Sequence, residues 1–128
     1  PAMSSVPQSA LHWFEIPVAD IDRAQRFYET LLGAPLRREA MGPQTLAVLP
    51  YAEPGVGGAL LAGPAARPGA QGVVVYLDGG ARLEEGLARL AQAGGQILTP
   101  RVDLPDGMGS FVHFQDSEGN RVGLHAAG

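Results

Sequence analysis

Three titratable side chains, Glu15, His113 and His125, lie in short apolar segments of the kind that form β-strands. A histidine titrates near neutral pH and can move a proton or hold an oxygen atom, and a carboxylate can remove a proton from a carbon next to a carbonyl group. We therefore interpret Glu15 as a candidate general base and His113 or His125 as the group that stabilises an enolate oxygen. The plain structural alternatives are surface histidines and a Glu15 paired with Arg121 or with backbone amides.

Strand alternation brings these side chains to one surface together with two aromatic rings. In residues 110–115, Val112 and Phe114 suit a face covered by a helix, so the residues between them point the other way. The same rule, applied to residues 13–18 and 121–125, predicts a surface with these members: Trp13, Glu15, Phe111, His113, Gln115, Arg121, Gly123 and His125. The aromatic members would supply flat apolar walls for a ring or an acyl chain. Such a surface is typical of a ligand pocket with a few polar groups.

The elements that must position this surface occur twice in the same order. Residues 11–18 predict a strand, after which Asp20 caps an amphipathic helix that ends at Gly33. Three short strands are predicted to follow, at residues 36–40, 45–49 and 59–62. The second half is predicted to contain a strand at 72–77, a helix capped by Asp78 and closed by Gly94 and Gly95, and strands at 96–99, 110–115 and 121–125.

The two halves also share a spacing, because Leu11 lies 22 positions before Gly33 and Gly72 lies 22 positions before Gly94. This internal repeat predicts an α+β protein of two βαβββ modules that share one mixed sheet. We expect the modules at residues 11–62 and 72–125, the linker at 63–71, one domain over 11–128 and an N-terminal tail at 1–10. Pro1 and Ala2 precede Met3 and are expected to be an artificial extension.

Composition excludes several classes of function. The 128 residues contain neither Cys nor Lys, which excludes thiol nucleophiles, disulfides, cysteine metal sites and Schiff-base chemistry. A net charge of -4 without a basic run speaks against a nucleic-acid partner. No apolar stretch approaches the roughly 20 residues of a membrane span, so we expect no membrane partner and a cytoplasmic location.

Several segments resemble one known family in their order and spacing. They include WFEIPVAD at residues 13–20, GGAL at 57–60, AGG at 93–95 and FQDSEGNRVGL at 114–124. Together they resemble the vicinal oxygen chelate superfamily of glyoxalases, bleomycin-resistance proteins and extradiol dioxygenases. The resemblance implies a cup-shaped mixed β-sheet with the helices on its outer face. It also implies that the cup binds a small molecule, usually with a divalent metal ion, and that two chains often form a homodimer.

The metal ligands of the family, carried over by position, fall on Trp13, Val73 and Gly123, and residues 57–61 offer no ligand. An indole, an isopropyl group and a hydrogen atom cannot coordinate a divalent ion. We therefore predict neither a metal nor another cofactor. Val73 and Val75, on one side of their predicted strand, are expected to line the ligand site together with Gly123.

Three functions remain open at this point. The first is a metal-independent small-molecule binding protein of the glyoxalase and bleomycin-resistance type, with weak lyase or isomerase activity from Glu15 and His113. The second is a dimer that sequesters a drug or metabolite without chemistry. The third is a lyase or dioxygenase in which Glu15, His113 and His125 hold Zn²⁺ or Mn²⁺ as displaced ligands.

Overall fold

The computed structural model describes residues 6–128, so the prediction for Pro1 and Ala2 lies outside the described residues. The elements, in chain order, are β1 (Trp13–Pro17), α1 (Ile21–Leu32), β2 (Arg37–Met41), β3 (Gln44–Val48), β4 (Gly57–Ala62), β5 (Tyr76–Asp78), α2 (Leu83–Ala93), β6 (Gln96–Ile97), β7 (Val102–Asp103), β8 (Ser110–Gln115) and β9 (Arg121–Ala126).

Each half of the chain forms its own mixed sheet. The first sheet has the order β1-β4-β3-β2, with β1 parallel to β4, and places Trp13 opposite Gly57. The second has the order β5-β9-β8-β6, with β7 also paired to β8, and β5 is parallel to β9. In the second sheet Gly123 has Tyr76 opposite it on one side and His113 on the other. The α+β class is confirmed, but hydrogen bonding gives two sheets where the sequence predicted one shared sheet.

The ends of the helices follow local rules in α1 and depart from them in α2. Asp20 caps α1 by accepting a hydrogen bond from the Arg23 amide at 3.1 Å, and Gly33 ends it with a φ of 69°. Asp78 does not cap α2, because β5 extends to this residue and its side chain accepts from the Gly80 amide instead. Neither α1 nor α2, the helices of the described residues, is long and apolar enough to cross a membrane.

One apolar core lies beneath both sheets. Tyr28 and Leu31 of α1, Leu60 of β4 and Phe114 of β8 are fully buried in the same cluster. The two helices also touch, since the Arg89 guanidinium of α2 donates to the Leu31 carbonyl of α1 at 2.8 Å. The strand faces away from the helices are therefore left to form other surfaces.

A buried carboxylate ties the β8–β9 turn to the start of α1. Glu118 accepts hydrogen bonds from the Ala19 and Asp20 amides, both at 2.9 Å, and two from the Arg23 guanidinium at 2.7 and 2.9 Å. Burial alone would raise the pKa of Glu118, but these bonds and one from the Ser117 hydroxyl outweigh it and lower the pKa to about 2. A side chain of the second half thus holds a helix of the first.

The same turn contains a second buried carboxylate, Asp116, which accepts from the Tyr28 hydroxyl at 2.7 Å. Burial, and then the charge of Asp116, raise the pKa of Tyr28 well above its usual value. The sequence predicts this turn, with Gly119 and Asn120 at positive φ. Gly119 has a φ of 86°, but Asn120 does not adopt that conformation, and its side-chain amide donates to the Pro17 carbonyl at 2.8 Å.

Candidate functional site

Three rings meet on the face of the second sheet that points away from the helices. The centroid of the Tyr76 ring lies 5.3 Å from those of Phe111 and His113, and the latter two are 5.7 Å apart. Edge-to-face contacts at these distances are favourable for aromatic groups. We call Tyr76, Phe111 and His113 the aromatic cluster. Its existence supports the predicted apolar wall at Phe111 and adds Tyr76, which the sequence did not single out.

His113 is held at both ring nitrogens. Its Nε2 lies 2.6 Å from the Tyr76 hydroxyl oxygen, and its Nδ1 lies 2.9 Å from Nη1 of Arg121. Burial, and then the positive charge of Arg121, lower the pKa of His113. The lowered pKa favours the neutral imidazole, and both of its nitrogens are already engaged.

The other predicted members of this face lie at its edges. The Nε2 of His125 is 2.7 Å from the Met108 carbonyl oxygen, which can only accept, so His125 donates to the β7–β8 loop. Gln115 is half-buried at the end of β8, opposite Arg121. Arg121 contacts His113, and the alternative in which it pairs with Glu15 is not observed among the described residues.

Trp13 and Glu15 lie on the corresponding face of the first sheet. The Trp13 indole donates to Glu15 at 3.4 Å and meets the Tyr51 ring edge-on, with 6.2 Å between centroids. On the same face, Leu46, Val48 and Ala59 form a small apolar cluster, with Ala59 paired directly to Glu15. Glu15 and His113 therefore belong to different sheets, and no hydrogen bond or ion pair within residues 6–128 links them.

Two glycines provide space for aromatic rings at equivalent positions of the two sheets. A Cβ atom at Gly123 would overlap the Tyr76 ring, and one at Gly57 would overlap the Tyr51 ring. Trp13 of β1 pairs with Gly57 of the parallel strand β4. In the same way, Tyr76 of β5 pairs with Gly123 of the parallel strand β9. We call Gly57 and Gly123 the ring-packing glycines.

This register corrects the sequence-based position for Val73. β5 begins only at Tyr76, so Tyr76 rather than Val73 is the counterpart of Trp13. Val73 precedes the strand and is 92% exposed, whereas Val75 packs against the core. The Val-rich run fits a strand pattern, but residues 72–75 lie outside β5, although the Val75 carbonyl accepts from the Gly123 amide of β9 at 2.9 Å.

The side chains at these positions do not fit a divalent metal ion. Zn²⁺ and Mn²⁺ do not select the groups found here, which are the indole of Trp13, the hydrogen atoms of Gly57 and Gly123, and the phenol of Tyr76 bonded to His113. Within residues 6–128, no group of three or more His, Asp or Glu side chains could hold an ion, so Glu15, His113 and His125 do not form such a group.

An apolar groove of about 870 Å³ runs between the first sheet and the segment that leads into β5. Its lining includes Phe14 and Tyr51 of the first half and Val73, Val75 and Tyr76 of the second, together with Leu31 and Leu32 at the end of α1. A smaller cavity of about 380 Å³ lies beside Trp13 and shares Tyr51 with the groove. Of the residues predicted from the sequence to bind a ligand, Val73 and Val75 line the groove and Trp13 lines the cavity.

Tyr51 and Tyr76 are site residues that were not predicted from the sequence. Tyr51 follows β3 in a Pro-rich loop, and Tyr76 ends an apolar run, so neither stands out by periodicity. Alternation in β9 predicted Arg121 on the same face as Gly123 and His125, but its contact with His113 was not predicted.

Comparison with known proteins gives one matching family model and many structural neighbours. The model of the Glyoxalase/Bleomycin resistance protein/Dioxygenase superfamily matches residues 10–124. No curated protein matches the sequence. A glyoxalase I variant from Zea mays superimposes with a TM-score of 0.68 at 24% identity over 91% of this chain and 46% of its own. The present chain thus spans about half the length of that protein.

Two neighbours of similar size superimpose over nearly their whole length. A glyoxylase/bleomycin resistance protein/dioxygenase domain from Frankia sp. EAN1pec gives a TM-score of 0.66 at 20% identity, over 95% of this chain and 93% of its own. TnmS3, an antibiotic binding protein from Streptomyces sp. CB03234, gives 0.63 at 25% identity, over 94% of this chain and 98% of its own. Because the Zea mays and Frankia proteins are less than 25% identical to this chain, their similarity to it establishes the fold alone.

Proposed function

Because the chain belongs to the Glyoxalase/Bleomycin resistance protein/Dioxygenase superfamily, we propose that it binds a flat, largely apolar small molecule without a metal ion. The observation that carries this proposal is the packing of aromatic rings on the two ring-packing glycines. Aromatic rings occupy the space that a larger side chain at Gly57 or Gly123 would need. The site therefore offers ring faces and an apolar groove in place of ion ligands.

The size of the groove and one neighbour support binding as the function. A volume of about 870 Å³ lies within the range of about 300–1,000 Å³ of small-molecule sites. TnmS3 is described as an antibiotic binding protein, and the chain covers 98% of it. The proposal for this chain therefore includes a role in sequestering an antibiotic or a similar small molecule.

Catalysis by Glu15, His113 or His125 stays a prediction that the geometry supports less well. Glu15 is exposed and lies on a different sheet from the two histidines. His113 is already bonded to Tyr76 and Arg121, and His125 to a backbone carbonyl. Incubation with compounds that bind, followed by a mass-spectrometric search for products, tests this prediction. If products form and Glu15→Gln forms them at the same rate, Glu15 has no catalytic role.

A homodimer and a cytoplasmic location also stay predictions. The dimer can be tested by sedimentation equilibrium over a range of protein concentrations. A single species with the mass of one chain would contradict it.

Ligand screening with planar multi-ring phenols and quinones tests the main proposal. A ligand that binds only the folded state raises the free energy of unfolding by about 3 kcal/mol when present at about 100 times Kd, which shifts Tm by several degrees. The fluorescence of Trp13, the only tryptophan, provides a second readout. Binding in the groove or the adjoining cavity is expected to change it.

Variants of two exposed residues connect any binding to the groove. Tyr51 lines both cavities, so Tyr51→Ala is expected to weaken binding about tenfold through the loss of an aromatic wall. Met41, 58% exposed on β2, lies away from both, and Met41→Ala should leave affinity unchanged. Equal effects of the two substitutions, or no binding in the whole panel, would refute the proposal.

A further inference from the structure

The contacts of His113 determine which of its nitrogens carries the proton. A guanidinium group has only N–H donors and no acceptor. Nη1 of Arg121 lies 2.9 Å from Nδ1 of His113, so Nδ1 must accept this hydrogen bond and cannot carry a proton. In a neutral imidazole the proton is then on Nε2.

The position of that proton determines the direction of the next hydrogen bond. Nε2 of His113 lies 2.6 Å from the Tyr76 hydroxyl oxygen, and a protonated Nε2 must donate. The hydroxyl therefore accepts, and its own hydrogen is not used in this bond. Among the described residues, His113 is the one hydrogen-bond partner of this hydroxyl.

Tyr76 is placed where a ligand can use the remaining hydrogen. It is 49% exposed, lines the groove and stands edge-on to Phe111. Donation from Arg121 to His113 and from His113 to Tyr76 polarises each group in turn, which strengthens the final donor. The alternative direction, from the hydroxyl to Nε2, would leave N–H groups of His113 and Arg121 facing each other at 2.9 Å.

We propose that Tyr76 donates a hydrogen bond to the ligand, oriented by a relay from Arg121 through His113, and that the ligand is a planar molecule with a carbonyl, carboxylate or phenolate oxygen. This inference rests on the proposed function and places a polar contact at the margin of the groove, where Tyr76 joins the aromatic cluster. Tyr76 is the binding residue. Arg121 and His113 are positioning residues.

Nitrogen NMR of the His113 ring tests the relay in the absence of any ligand. At slightly alkaline pH the unmodified protein should show His113 protonated on Nε2 alone. Arg121→Lys keeps a donor and should retain that tautomer, whereas Arg121→Met removes it and should produce a measurable fraction protonated on Nδ1. A proton on Nδ1 in the unmodified protein, or an unchanged tautomer in Arg121→Met, would refute the relay.

A pair of matched probes tests the ligand contact. Fluorenone and fluorene share a planar ring framework, and only fluorenone has a carbonyl oxygen. The unmodified protein should bind fluorenone about fivefold more tightly, the gain expected of one neutral hydrogen bond. Tyr76→Phe, checked for folding by circular dichroism, should bind the two equally.

The possible results separate the two proposals. Equal affinity of both probes for the unmodified protein, or a preference for fluorenone that persists in Tyr76→Phe, would refute donation by Tyr76 while leaving a binding function intact. Binding of neither probe would count against the proposed function, and the tautomer of His113 would still decide the relay.

Discussion

Replacing Glu118 by glutamine measures what the buried carboxylate between the β8–β9 turn and α1 contributes to stability. The amide keeps the shape of the side chain but has one acceptor oxygen and no charge to pair with Arg23. The pKa of Glu118 is lowered from 4.5 to about 2, and a shift of this size corresponds to about 3 kcal/mol. Because Arg23 is half exposed and solvent screens part of this energy, we expect Glu118→Gln to reduce the free energy of unfolding by about 2 kcal/mol at neutral pH.

The direction of the shift fixes the pH dependence. Because the pKa of Glu118 is lower in the folded than in the unfolded state, its contribution is fully present above about pH 4.5 and is lost as the pH falls toward about 2. Urea denaturation followed by circular dichroism at several pH values gives the free energy of unfolding. The difference between the unmodified protein and Glu118→Gln should shrink across this range.

Glu53→Gln is the matched control, because Glu53 is exposed and has no ion pair among the described residues. It should change stability by less than about 0.5 kcal/mol. If Glu118→Gln were as stable as this control at neutral pH, or if its deficit stayed constant down to about pH 2, the role assigned to Glu118 would be wrong.

Three further outcomes follow from the packing and the site chemistry. Gly123→Ala places a methyl group in the Tyr76 ring, so we expect a loss of about 1–3 kcal/mol and a weaker near-ultraviolet circular dichroism signal; a full-strength signal would contradict this. Tyr28→Phe removes a 2.7 Å hydrogen bond from the buried Asp116 and should cost about 1–3 kcal/mol in urea denaturation, whereas an unchanged midpoint would show that the bond is dispensable. Added Zn²⁺ should leave Tm unchanged relative to chelator-treated protein, since an ion held by the native state would raise it.

The features that sequence alone could predict are those set by local rules. Strict alternation in SFVHFQ gave β8 its observed bounds, and the faces of Phe111 and His113 followed from it. Asp20 and Gly33 bound α1 as expected, because a side-chain cap and a left-handed glycine act over three or four residues. The repeat of strand, helix and glycine identified the fold class, because each part of the repeat is also set by residues close together in the chain.

The remaining features depend on contacts between distant segments. The register that puts Tyr76 opposite Gly123 is decided by hydrogen bonds to β9, so a Val-rich run shifted the prediction to Val73. Glu118 was predicted only as part of a turn, because its partners lie about a hundred positions earlier in the chain. The contact between Arg121 and His113 likewise needs the pairing of β8 with β9.

The packing of Tyr76 on Gly123 constrains how this lineage can acquire an ion-binding centre. A carboxylate cannot be introduced at position 123 while the ring covers it, because even the first carbon of a side chain would collide with the ring. A metal-ligating side chain introduced at position 76 alone would have only the hydrogen atom of Gly123 opposite it, and therefore no second ligand there. Conversion therefore requires a smaller side chain at position 76 before, or together with, a carboxylate at position 123.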